Sequence, residues 1–310
     1  FTAITRWSEE MDPFVSEGKS LKAPLTAGMP TGLGEAGWPI GKTYDGGVTT
    51  LSGDAFRAYA EATDDENEAY SGDHAVAPPM FHVVPVFPTM MLMARDPELG
   101  MDLLRLVHGE HAMSFHRPLR AGDPLAVTGK LASVSEKPSG TIFAFDLYGH
   151  IDGELALEGK TAYFIRAKNP PARETKQVGP AAPEASAVVA PEPDRVITQH
   201  VALDQADRYA PASGDRNPIH LDNAVATKAG LPGVILHGLC TMAFAQRDVI
   251  RELCDGDPTR LRHIGVRFAR PVFPGETLSL QLWRDGNDIR FQTNNGAGKP
   301  VITHGRAVIG

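Results

Sequence analysis

An internal repeat constrains the fold of this 310-residue chain more than any other feature of its sequence. The segment Tyr59–Asn67 aligns with Tyr209–Asn217, 150 positions later, and Phe115–Pro118 aligns with Phe268–Pro271, 153 positions later. A glycine and an acidic residue follow the second match in both copies. Because the matches keep their order at a nearly constant offset, they indicate a tandem duplication of one supersecondary unit.

The second copy has the clearer pattern of helices and strands. Its long amphipathic helix, expected over 238–254, carries Arg247, Asp248 and Arg251 on its polar face. Strand and short-helix patterns surround this helix, at 195–201 (strand), 203–212 (helix), 263–273, 277–284 and 299–308 (strands), with a possible extra strand near 289–293. One long helix followed by an antiparallel meander predicts a curved sheet around a helix, and two such units could pair edge to edge.

A proline- and alanine-rich stretch separates the two copies. Residues 169–193 contain six prolines and no amphipathic pattern, which is typical of an extended linker. The sequence therefore predicts an irregular lead-in over 1–40, a first unit over 41–168, the linker, and a second unit over 194–310.

Charge and cysteine content restrict the partners and the compartment. The net charge of −8 argues against binding to nucleic acid or to an anionic membrane surface, and no run of 18 apolar residues predicts a membrane span. Cys240 and Cys254 lie on one predicted helix, about 21 Å apart by helical rise, whereas a disulfide needs Cα atoms within about 7 Å. With no signal-peptide pattern, we expect an intracellular protein, cytoplasmic rather than secreted.

The segment around Asp215 and His220 carries the clearest chemistry. The two residues flank a loop stiffened by Pro218, and Asn217 can hold that loop by local hydrogen bonds. A carboxylate and an imidazole brought together can share a water molecule and exchange protons with it. The same residues are also common in Asx turns, so both interpretations stay open at this point.

Two linked segments resemble a known family. Ser213–His220 is similar to the signature of the MaoC-like (R)-specific 2-enoyl-CoA hydratases, and Gly230–Gly238 is similar to a second segment of that family at the expected distance. The duplicated layout extends the resemblance, more weakly, over 41–310. The resemblance implies an α+β fold of the double hotdog type, in which each half is a curved antiparallel β-sheet wrapped around a central α-helix.

The resemblance also implies roles for individual residues. Asp215 and His220 match the catalytic pair that holds and activates water, and Asn217 matches an asparagine that supports the site. Gly238 matches a glycine whose backbone N–H, at the start of a helix, binds the thioester carbonyl. Physical chemistry agrees, because a helix N-terminus offers free N–H groups and the positive end of the helix dipole to a developing enolate.

The first copy departs from this pattern. Asp65 and Asn67 keep their positions, but Tyr70 stands where the second copy has His220, and no His-Gly pair precedes the helix. By the resemblance, this half has lost catalysis and widens the acyl tunnel. The apolar, methionine-rich segment from Phe81 to Met93 would suit such a tunnel, although ordinary core packing explains it equally well.

The resemblance implies a hydro-lyase of fatty acid metabolism that reversibly adds water, syn, to trans-2-enoyl-CoA and gives (R)-3-hydroxyacyl-CoA. The acyl-CoA is then the substrate, with no cofactor and no metal ion, and a homodimer of double hotdogs is possible. Arg267 and Arg270 could bind the CoA phosphates. Arg270 recurs as Arg117 in the first copy, however, so a structural role for it is equally open.

Three other functions fit the same fold. They are a dehydratase for acyl-carrier-protein or branched dicarboxyl-CoA thioesters, a hotdog thioesterase, and a non-catalytic acyl-CoA-binding subunit. Two further patterns are set aside. Gly32–Gly37 matches a dinucleotide-binding pattern without a preceding strand, and His108, His111 and His116 lie on a predicted strand without further metal ligands.

Overall fold

The helices and strands of the two halves repeat in the same order. The computed structural model describes residues 37–168 and 191–310. The first half contains β1 (Thr43–Thr50), α1 (Gly53–Ala62), α2 (Val83–Ala94), β2 (Leu106–Phe115), β3 (Pro124–Lys137), β4 (Gly140–Ile151) and β5 (Glu154–Arg166). The second half contains β6 (Arg195–His200), α3 (Gln205–Ser213), α4 (Asn223–Lys228), α5 (Gly238–Leu253), β7 (Leu261–Phe268), β8 (Thr277–Asp285), β9 (Asp288–Asn295) and β10 (Pro300–Ile309).

All ten strands belong to one antiparallel sheet in the order β1-β3-β4-β5-β2-β7-β10-β9-β8-β6. The order of the second half is that of the first half reversed, and β2 and β7 join the halves at the centre. The predicted edge-to-edge pairing of two antiparallel units is therefore confirmed.

An approximate two-fold axis relates the halves and passes between equivalent residues. Ala112 on β2 pairs with Gly265 on β7, and a Cβ atom at position 265 would come within 2.9 Å of the Ala112 Cβ. The hydroxyl groups of Tyr59 and Tyr209, equivalent residues of the sequence repeat, lie 3.3 Å apart. The repeat in the sequence is thus a repeat in space, with its copies packed against each other.

The long helix of the second half is buried on more sides than its sequence predicts. Asp248, expected on the polar face, is fully buried. Gln199 Nε2 donates a hydrogen bond to its Oδ2 at 2.7 Å, and Arg251 lies 3.0 Å from its Oδ1. The expectation for Asp248 was wrong because periodicity cannot show that a neighbouring strand supplies a hydrogen-bond partner for a buried carboxylate.

Other sequence expectations agree with the structure or lie beyond it. Cys240 and Cys254 are free and buried, as expected. None of the described helices is long and apolar enough to cross a membrane. The strand expected over 263–273 spans Leu261–Phe268 instead, since Pro271 follows closely. Most of the expected linker and lead-in falls outside the described residues, and the proposed domain boundaries stay predictions.

Candidate active site

The end of α3 sets the position of Asp215. Gly214 caps the helix with a φ of +82°, a left-handed conformation that glycine adopts without strain. The Asp215 N–H then donates to Ser213 Oγ at 3.2 Å. The chain turns sharply here, so that Asp215 follows directly on the helix and lines a cavity.

Two successive turns connect Asp215 to His220. The Asn217 N–H donates to Asp215 Oδ1 at 3.1 Å, and the Ile219 N–H donates to Asn217 Oδ1 at 3.3 Å. Asn217 thereby caps a 3-10 turn, Pro218–His220. The Asx-turn interpretation of this segment is therefore present in the structure, and the turn is what brings the carboxylate and the imidazole together.

His220 is held in the tautomer that a general base needs. Its Nδ1 lies 2.8 Å from the Ile235 carbonyl oxygen, which can only accept, so the proton is on Nδ1 and Nε2 keeps a lone pair. Burial lowers the pKa of His220, whereas the charge of Asp215 and the bond to Ile235 act in the opposite direction. The ring is therefore neutral near pH 7 and able to accept a proton.

Gly238 begins α5 beside the same cavity. The first N–H groups of a helix have no acceptor within it, and the helix dipole places partial positive charge there. A Cβ atom at this position would lie 3.1 Å from the Phe268 ring. Glycine thus leaves space for an oxygen atom to approach the N–H group.

Both halves line a cavity of about 500 Å³. The second half supplies the loop from Gly214 to His220 and the start of α5, and the first half supplies part of α2 and residues of β2 and β5. Most of the first half's contribution is apolar: Phe87, Met90, Met91, Leu103, Leu104, Leu106, Val107 and Phe164. An elongated apolar group can therefore extend from the Asp215 carboxylate toward the first half.

The methionine-rich segment serves both purposes considered for it. Phe87, Met90 and Met91 line the cavity. Phe81 and Met93, by contrast, are buried in the hydrophobic core. The segment is therefore a core helix that presents one face to the cavity.

Sequence reasoning missed several polar residues of the cavity, among them His237, Tyr163 and His108. His237 Nε2 lies 2.9 Å from the Asp215 carbonyl oxygen, and the His237 ring stacks on that of His220 with centroids 3.8 Å apart. His237 directly precedes Gly238 in the segment Gly230–Gly238, and this position was the sequence signal that could have identified it. Tyr163 and His108 come from β5 and β2 of the other half. No local sequence pattern predicts that these two residues line the cavity beside Asp215.

Asp215, His220 and His237 each bring one possible ligand atom within 4.8 Å of the others. A metal ion lies in the plane of an imidazole that binds it, at about 2.0–2.1 Å from nitrogen. The two rings stack at an interplanar angle of 27°, and one nitrogen of each ring, His220 Nδ1 and His237 Nε2, already faces a backbone carbonyl oxygen. The arrangement suits proton exchange better than chelation.

In the first half, protein side chains fill the place beside Asp65 that corresponds to the site around Asp215 and His220. Asn67 caps a matching 3-10 turn, Glu68–Tyr70, and Tyr70 is buried. Gln246 reaches over from α5, lies 3.4 Å from Asp65 Oδ2 and accepts the Met80 N–H at 3.1 Å. Burial raises the pKa of Asp65. A tyrosine and a glutamine thus stand in the first half where the second half has the imidazole of His220.

The two arginines expected at the CoA phosphates differ in position. Arg267 is buried, and its Nε lies 2.7 Å from Glu110 Oε1 across the β2–β7 pair. An arginine already neutralised inside the sheet is a poor phosphate ligand, so the position of Arg267 favours a structural role. Arg270 lines the cavity, as do Arg95, Arg166 and Arg216.

Family models match both halves of the chain. Residues 184–305 match the MaoC like domain, and residues 39–146 match the FAS1-like dehydratase domain region. The two matches cover the two halves of the structural repeat separately.

Curated relatives match over most of the chain. Peroxisomal multifunctional enzyme type 2 from Mus musculus is 35% identical over 229 residues, which are 73% of this chain and 31% of that protein. Enoyl-CoA hydratase 2, peroxisomal, from Arabidopsis thaliana is 31% identical over 236 residues, 69% of this chain and 73% of that protein. The chain spans less than half the length of the multifunctional enzymes from mouse and Drosophila melanogaster, at 31% and 40%.

Solved structures share the architecture. A MaoC-like dehydratase from Phytophthora capsici superposes with a TM-score of 0.73 at 26% identity, over 87% of this chain and 95% of that chain. A Mycobacterium tuberculosis protein described as a double hotdog superposes with a TM-score of 0.57 at 14% identity, over 87% and 95% of the two chains. The predicted double hotdog fold is confirmed.

Proposed function

Because this chain belongs to the MaoC-like dehydratase family, we propose that it catalyses the reversible syn addition of water to a trans-2-enoyl-CoA, which gives an (R)-3-hydroxyacyl-CoA. One observation carries the proposal. A neutral imidazole with a free Nε2, a carboxylate and a helix N-terminus face one largely apolar cavity.

Asp215 and His220 activate the water in this proposal. The water lies between the carboxylate and His220 Nε2, and as its oxygen bonds to C3 of the substrate, one proton passes to the pair. The electrons of the C2–C3 double bond move onto the thioester oxygen and form an enolate. Asn217 acts indirectly, since its cap on the 3-10 turn keeps Asp215 and His220 on the same side of the substrate.

Gly238 stabilises the enolate in the next step. Its N–H points from the positive end of α5 toward the position of the thioester oxygen, where negative charge develops. The proton taken from water then returns to C2. Because the same pair delivers it from the face on which the oxygen was added, the addition is syn.

The arginines at the cavity support a phosphate-bearing substrate. We assign the CoA phosphates to Arg270 together with Arg95, Arg166 and Arg216, which come from both halves of the chain. Guanidinium groups bind phosphate oxygens through paired, charge-assisted hydrogen bonds. The homodimer and the cytoplasmic location stay predictions, and the relatives from mouse and Arabidopsis carry the word peroxisomal in their names.

Direct assay of the wild-type protein tests the proposal. The absorbance of the enoyl-thioester band should fall when short and long trans-2-enoyl-CoA substrates are added, and chiral analysis should find the (R)-3-hydroxyacyl product. A thiol reagent in a parallel reaction detects free CoA. Release of CoA would favour a thioesterase, the (S)-product would contradict the proposed stereochemistry, and binding without turnover would favour a non-catalytic acyl-CoA-binding subunit.

A further inference from the structure

We infer that His237 is a positioning residue that holds the Asp215 loop, the His220 ring and the Gly238 N–H in one arrangement. The inference deepens the proposed function and rests on it. Neither the proposed water step nor the oxyanion step requires the His237 side chain to touch the substrate.

Three contacts link His237 to the three parts of the site. Its Nε2 lies 2.9 Å from the Asp215 carbonyl oxygen, which can only accept, so Nε2 carries the proton and donates. Its ring stacks on His220 at 3.8 Å between centroids. Gly238 is the next residue in the chain, and the His237 carbonyl oxygen accepts the N–H groups of Cys240 and Thr241 in the first turn of α5.

The burial of His237 gives this arrangement a chemical consequence. The side chain is 2% exposed, and its Nδ1 is buried without a hydrogen-bond partner among the described residues. Burial, followed by repulsion from His220, holds the pKa of His237 well below 6.5. A neutral ring can therefore lie against His220 while His220 takes up the proton of the water molecule.

The titratable groups around the two rings come from three other elements. Tyr209 on α3 lies 4.9 Å from the His237 ring, centroid to centroid. Asp215, Tyr163 on β5 and His108 on β2 also face the cavity, and four arginines add positive charge to its lining: Arg95, Arg166, Arg216 and Arg270. Burial raises the pKa of Tyr163 and lowers that of His108, so both groups are neutral near pH 7.

Two substitutions separate the hydrogen bond of His237 from its ring. His237→Phe keeps an aromatic ring over His220 but loses the donor to Asp215, and should lower kcat about 10- to 100-fold with KM changed only a few-fold. His237→Gln keeps an N–H donor at the same reach and should recover most of kcat. His116→Phe, at an exposed histidine outside the cavity, serves as the control.

The ionisation of His220 gives a readout that needs no substrate. NMR titration of ¹⁵N-histidine-labelled protein should show a low His220 pKa in the wild type and His237→Phe, because both keep the ring that excludes water. In His237→Gln the His220 pKa should rise toward 6.5. A melting temperature for each variant checks folding. If His237→Phe does not fold, the His220 titration in His237→Gln alone decides whether His237 has the positioning role.

The outcomes separate this inference from the proposed function. Wild-type kcat in His237→Phe, or the same His220 titration in His237→Gln as in the wild type, would overturn the positioning role. If the wild type hydrates no enoyl-CoA, the proposed function fails, while the NMR titration still decides whether His237 controls the ionisation of His220.

Discussion

Asp215 and His220 act on one water molecule in the proposed mechanism, so the effects of replacing them should not add. We expect Asp215→Asn and His220→Ala each to lower kcat by about 100- to 10,000-fold, the usual range for a general acid or base. The double variant should resemble the worse single variant, because each change alone removes the shared proton transfer. KM should change much less, since the arginines that we assign to CoA lie outside the pair.

Steady-state kinetics of the three variants with one enoyl-CoA measures this. Strictly multiplicative losses would show that the two residues act on different protons. Melting temperatures should show that all three variants fold, because the turn at Asn217 and the cap at Gly214 hold the loop without the His220–Ile235 hydrogen bond.

At the residue scale, the sequence predicted which residues would meet at one cavity better than it predicted their hydrogen-bond partners. Asp215, Asn217, His220 and Gly238 lie in two short segments, and the structure brings both segments to one cavity. The backbone acceptor that sets the His220 tautomer, Ile235, lies 15 residues away and cannot be read from a local pattern. The sequence also could not show that Arg267 pairs with Glu110, which is on a strand of the other half.

At the scale of single elements, strand β2 and the start of α2 share a row of histidines, of which His82 and His111 are buried. His82 Nε2 lies 2.8 Å from His111 Nε2, and the His108 ring packs edge-on against that of His111. The sequence placed His108 and His111 on a strand correctly. It could not show the contact with His82, because that depends on how α2 packs against the sheet.

These histidines should make the fold sensitive to acid. Burial lowers the pKa of His82 and of His108 to about 4, while an unfolded histidine titrates near 6.5. Between pH 4 and pH 6.5 the unfolded chain binds protons that the folded chain does not. The contribution of these histidines to the free energy of unfolding is therefore fully present above pH 6.5 and is lost as the pH drops toward 4. His220, His237 and His263 act in the same direction.

Urea unfolding at several pH values between 7.5 and 4.5 measures this dependence. His82→Gln should reduce the slope of the free energy of unfolding against pH, relative to the wild type, by the amount that corresponds to about one proton. His116→Gln, at an exposed position after β2, should leave the slope unchanged. An identical slope in all three proteins would contradict the assignment.

At the scale of the whole molecule, the repeat predicted the sheet, and the differences between the copies predicted where a site can exist. The strand order of one half is reversed in the other because both copies fold alike and meet at β2 and β7. The sequence also flagged Tyr70 in place of His220. It could not predict that Gln246, on the opposite helix, reaches the carboxylate of Asp65.

The central claim is that one of two equivalent places does the chemistry, and matched substitutions at Asp215 and Asp65 test it most directly. Both residues accept an N–H two positions along the chain, from Asn217 at 3.1 Å and from Asn67 at 3.4 Å, so the variants Asp215→Asn and Asp65→Asn disturb equivalent turns. The measurement is kcat for hydration of one trans-2-enoyl-CoA. We predict a loss of about 100- to 10,000-fold for Asp215→Asn and a change within a few-fold for Asp65→Asn. Equal losses at the two positions, or a larger loss at Asp65, would contradict the account.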